Sequence, residues 1–114
     1  MTALCFKSGV HVFGLHQEML WALDRCVEVW AQTGKNVTVT SARGGAHSIR
    51  SLHYGGHAVD LRSRNLNDLE IAAIMAGLPT ALGDNFDIIF EGNHFHIEYQ
   101  PENKHSYSTE QPYK

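Results

Sequence analysis

Two short segments read as strands: HFHIEY at residues 94–99 alternates polar and apolar side chains, and in HAVDLRS at residues 57–63 Val59, Asp60, Leu61 and Arg62 do the same. A period of two marks a strand with one buried and one open face, because successive side chains leave a pleated backbone on opposite sides. Val59 and Leu61 must therefore share one face, and Ala58 and Asp60 the other. In the second segment Phe95, Ile97 and Tyr99 separate in the same way from His94, His96 and Glu98. A chain built on such strands needs a second layer to cover the apolar face, and its other face stays free for polar groups.

The covering layer is legible as two helices. Between His16 and Gln32 the apolar residues Met19, Leu20, Leu23, Cys26, Val27 and Trp30 recur at three- and four-residue steps, and Gly34 supplies a stop. A second helix is expected from Asn67, a suitable N-cap, to about Gly77, with Leu69, Ile71, Ala72, Ile74 and Met75 as its apolar surface. Pro79 and Gly83 break that pattern. NVTVT at residues 36–40 alternates and reads as a strand entering the loop SARGGAHSIRS. Residues 87–90 form a further strand, joined to 94–99 through Glu91, Gly92 and Asn93 as a tight hairpin. From Pro101 the chain is polar and aperiodic and is expected to be a loose tail. The expectation is one α+β domain over residues 1–100, followed by the tail at 101–114. Its sheet should be antiparallel, with the polar site on one face and the helices on the other.

Composition narrows the function. With 114 residues, 43% hydrophobic and 18% charged, the chain suits a single globular domain. Nine basic against twelve acidic residues give a net charge of -3, which offers no electrostatic reason to expect nucleic acid as a partner. MTALCFKSGVHVFGLH lacks a basic start followed by a long apolar run, so neither a secretory signal nor a membrane span is expected. Cys5 and Cys26 have no metal-type spacing and are read as reduced thiols. A monomer is expected.

Histidine is the anomaly, with eight in the chain and five of them in two short windows. His94 and His96 converge on one strand face, and Asp60 can meet them if the two strands are neighbours. His53 reaches the same face across the Tyr54–His57 turn, where Gly55 and Gly56 permit backbone conformations closed to other residues. Two imidazoles and a carboxylate are a sufficient protein set for a catalytic zinc, which keeps a fourth position for water. His11, His16, His57 and His105 are read as ordinary structural histidines.

SLHYGGHAVD resembles the SxHxxGxAxD signature of the zinc peptidases that include D-Ala-D-Ala carboxypeptidases, vancomycin-resistance dipeptidases and phage endolysin endopeptidases. It is closer still to the SLHYxGxAVD segment of the hedgehog signalling domain. HFHI resembles the HxH strand of the same group, and the likeness spans about residues 36–100, in the family's order and spacing.

The resemblance implies His53, Asp60 and His96 as zinc ligands, with His94 and His47 stabilising charge on the substrate carbonyl. Arg43, in VTSARGG, resembles the arginine that binds a substrate carboxylate in the peptidases. Glu91 is the candidate general base. In hedgehog-like members the glutamate lies one residue further from the ligand histidine, whereas in the dipeptidases an ExxH arrangement would fit Glu91 only with His94 as ligand. Glu98 is a lesser candidate, read as a solvated strand residue. The calcium-binding acidic stretch of hedgehog is replaced here by SARGGA, which holds no carboxylate, so no calcium site is expected.

The implied activity is hydrolysis of peptide bonds in peptidoglycan stem peptides, of the D,D- or L,D-carboxypeptidase or endopeptidase type. The alternative is a catalytically silent, zinc-stabilised binding module. The resemblance also implies synthesis in the cytoplasm of a bacterium or a phage-infected cell, with release to the cell wall by another route.

Overall fold

A computed structural model describes residues 2–10, 15–43 and 57–100. Its elements run β1 (Leu4–Phe6), α1 (Gln17–Trp30), β2 (Val37–Arg43), β3 (Ala58–Arg62), α2 (Asp68–Leu82), β4 (Phe86–Phe90) and β5 (His94–Tyr99). The strands form one five-stranded sheet in the order β1-β2-β3-β5-β4. All pairings are antiparallel except β1 with β2, which run parallel. The sheet is therefore mixed, where the sequence led to an antiparallel one. The difference is β1, a three-residue strand whose LCF carries no alternation to announce it.

The two helices cover one face, as the periodicity requires. Met19, Ala22, Leu23, Cys26 and Trp30 of α1 and Ile74, Leu78 and Leu82 of α2 pack with Val37, Val39, Val59, Leu61, Phe95 and Ile97 of the sheet. Trp30 meets Phe95 edge-on with ring centroids 5.3 Å apart, an arrangement that suits the opposed charges of ring edge and face. Each large apolar side chain removed from water in this layer contributes about 1.5–3 kcal/mol.

Local signals set the helix ends. After α1 the chain tightens into a short 3-10 turn over Ala31–Thr33 and stops at Gly34, whose φ of 74° lies in the left-handed region. At the start of α2 the Asn67 side chain accepts from the Glu70 amide at 2.8 Å, and Glu70 accepts in return from the Asn67 amide at 2.9 Å. This reciprocal cap satisfies two otherwise orphaned donors. The helix does not end near Gly77 but runs through Pro79 to Leu82. Proline cannot donate to the carbonyl four residues back, a cost that burial of Leu78 and Leu82 on the core offsets.

β2 is also longer than expected, continuing through Ser41, Ala42 and Arg43 where a loop was anticipated. The register explains why alternation fails there: Val39 pairs with Leu61 but Ser41 pairs with Asp60, so Thr40 is an extra residue. Such a bulge changes which residues of the strand face inward. Val37 and Val39 face the core before it, and Ala42, opposite Val59, packs on the core after it. The expected tail at 101–114 lies outside the described residues. Among the described residues, no helix is long and apolar enough to cross a membrane.

Candidate functional site

The site is built where β3 and β5 lie side by side. Their antiparallel register sets Asp60 directly opposite His96 and Arg62 opposite His94. Because cross-strand partners share a face, Asp60 and His96 emerge together on the side away from the helices, as the alternation of both segments anticipates. The backbone around Asp60 is further tied by the Thr40 hydroxyl, which donates to the Asp60 carbonyl at 3.3 Å.

Carboxylates and imidazoles alternate across this face. His96 Nδ1 lies 2.8 Å from Asp60 Oδ1, and its Nε2 lies 3.1 Å from Glu98 Oε1. His94 Nε2 lies 2.9 Å from Glu91 Oε1 and 3.8 Å from the same Asp60 oxygen. His94 Nδ1 is within 2.6 Å of Asn93 Oδ1. Glu91 and His94 are held close by the hairpin between β4 and β5. There Gly92 takes a φ of 93°, open to glycine at no steric cost, and the Glu91 amide donates to the His94 carbonyl at 2.8 Å.

Burial and hydrogen bonding pull His96 in opposite directions. Partial burial alone would lower its pKa, but the bonds to Asp60 and Glu98 outweigh it and hold the imidazole above its usual value. The side chains of Asp60, His94, His96 and Glu98 are all half-buried, so they act on one another through a medium less screening than bulk water. Asp60 and His96 are groups of the kind that share a divalent ion. Among the described residues, no group of three or more His, Cys, Asp or Glu side chains is arranged to hold a metal.

Of the residues singled out in the sequence, Asp60, His96, His94 and Glu91 are brought together. Arg43 stands at the end of β2 opposite Ala58, two residues along from the Ser41–Asp60 pair. His53 and His47 lie outside the described residues. Two features were missed. Glu98, read as solvated, is bonded to His96; its position two residues beyond His96 on the same face was the available signal. His57, read as ordinary, is buried beside His16 with ring centroids 3.7 Å apart, and its Nδ1 has no hydrogen-bond partner among the described residues. That burial, followed by repulsion from His16, lowers its pKa.

Comparison of the chain with protein-family models, with curated proteins and with solved structures found no match.

Proposed function

We propose that the chain is a zinc-dependent peptidase acting on peptide bonds of peptidoglycan stem peptides, with zinc held by Asp60, His96 and His53. The observation that carries this reading is the direct cross-strand pairing of Asp60 with His96, two residues of separate motifs whose donor atoms lie 2.8 Å apart. Two ligands at about 2.0–2.1 Å on a tetrahedral ion stand roughly 3.3 Å from each other, so the pair would need to part by only about half an ångström to share a zinc. Zinc, when bound, supplies a Lewis acid that polarises the scissile carbonyl and lowers the pKa of a neighbouring water.

The remaining chemistry falls to this chain's own side chains. Glu91 accepts the proton that the attacking water loses and delivers it to the departing amine. Its present partner, His94 Nε2, lies on the same face as Asp60 and would donate to the carbonyl oxygen as negative charge develops there. Exchanging the Glu91–His94 contact for contacts to water and substrate is thus part of the cycle. Arg43 would bind a substrate carboxylate through its two-pronged guanidinium, and His47 would join His94 at the oxyanion.

The same Glu91–His94 contact also favours a second reading, a zinc-stabilised binding module in which the glutamate serves only to fix the histidine. Digestion of purified peptidoglycan, with and without a chelator and followed by mass analysis, separates the two. The peptidase reading expects chelator-sensitive cleavage that falls by about 100- to 10,000-fold in Glu91→Gln. Zinc binding without any cleavage by the wild-type chain would leave the binding module standing, and a chain that takes up no zinc would remove both.

A further inference from the structure

His96 is gripped from both sides. Nδ1 faces Asp60 Oδ1 at 2.8 Å and Nε2 faces Glu98 Oε1 at 3.1 Å, so the ring's two nitrogens have different partners on the same face. The His96 side chain is 17% exposed and that of Glu98 24%, which places their contact partly out of water. The strand neighbours of Glu98 offer its carboxylate little else: Ala58 stands opposite it on β3 and the like-charged Asp87 on β4. Like charges directly opposite are unfavourable, so Glu98 sits there at a cost in stability that its bond to His96 helps to offset.

We infer that Glu98 is a positioning residue: it accepts the Nε2–H of His96 and thereby reserves Nδ1, the nitrogen facing Asp60, as the metal-binding atom. The inference rests on the zinc reading for its purpose, but the Glu98–His96 bond stands independently of it. Histidines that bind metals commonly donate their second ring N–H to a carboxylate, which fixes the tautomer and ring orientation and raises the basicity of the ligating nitrogen. Glu98 has the geometry for that role, and it lies on the same strand as the histidine it holds, two residues away. It is not a candidate for proton transfer to substrate, because its carboxylate meets the far side of the ring from Asp60.

The test combines zinc titration against a competing chelator with nitrogen-detected NMR of the His96 ring, in wild type, Glu98→Ala and Glu98→Gln. Zinc affinity should fall about 100-fold in Glu98→Ala and about 10-fold in Glu98→Gln, whose amide oxygen can still accept. In the zinc-loaded wild type Nε2 should carry the proton and Nδ1 the metal. An affinity for Glu98→Ala within about threefold of wild type, or a metal on Nε2, would overturn the inference. Glu98→Gln preserves the volume and serves if the alanine variant does not fold. If the wild-type chain binds no zinc, the peptidase reading fails, and the zinc-free spectra still decide the role of Glu98. An Nε2–H protected from exchange in wild type, less so in Glu98→Gln and lost in Glu98→Ala supports it, and identical spectra refute it.

Discussion

The two faces of β3 and β5 are made from the same ten or so residues of backbone, yet they are held together by different physics. On the helix side Leu61, Phe95 and Ile97 are 0% exposed and Val59 is 2% exposed, and they cohere through shape and exclusion of water. One residue along the chain in each case, Asp60, His94, His96 and Glu98 are half-buried and cohere through directional bonds between charged or polar atoms. The inner contacts have no alternative partners. The outer ones are bonds between partly exposed side chains, each within reach of solvent.

That contrast can be broken most severely from the inside. Phe95→Ala removes the ring that meets Trp30 and Phe90 and leaves a hole the core cannot close, so urea unfolding should show a loss of about 3–5 kcal/mol. Asp60→Asn tests the other face. It preserves shape and should cost about 1 kcal/mol in the same measurement, while zinc affinity falls more than about 100-fold, beyond the range expected for a residue that only supports a ligand. A stability loss as large as that of Phe95→Ala would mean the outer face is structural after all.

The smallest effect concerns His57, which sits where β3 begins and is buried although its side chain is polar. Its pKa in the folded protein lies below the unfolded value near 6.5, so between the two the unfolded chain binds more protons. The stability associated with neutral His57 is present above about pH 6.5 and is lost as pH falls through the folded pKa. His57→Phe keeps a ring against His16 and Tyr99 and removes the titration, so wild type should lose stability relative to this variant between pH 7 and pH 5. Parallel pH profiles for the two would show that burial of His57 carries no protonation penalty.

Sequence reading succeeded where one physical rule acted alone. In β5 and most of β3 alternation determined both faces, and the adjacency of Asp60 and His96 followed once the strands were neighbours. In α1 local periodicity placed Met19, Leu23, Cys26 and Trp30 on the buried face but wrongly added Leu20, which is 50% exposed, and at the Asn67 cap a short-range hydrogen bond sufficed. It failed where distant packing overrode a local preference. Pro79 signals an end, but the burial of Leu78 and Leu82 carries α2 past it. Ser41, Ala42 and Arg43 carry weak strand signals, and the extra residue at Thr40 erases the alternation that would have revealed them. β1 is short and takes its identity from β2, which no local pattern encodes. Within the site, proximity was legible but bonding was not: the shared face and two-residue spacing of His96 and Glu98 allow a contact, while the bond itself depends on side-chain orientation that HFHIEY does not encode.

Asp60 and His96 are 36 residues apart along the chain, and α2 and β4 must be laid down before their strands can meet. During synthesis on the ribosome, a nascent chain therefore carries the aspartate for some time without its imidazole. The cluster matures only when the last described strand slots between β3 and β4, so its assembly marks completion of the sheet as a whole.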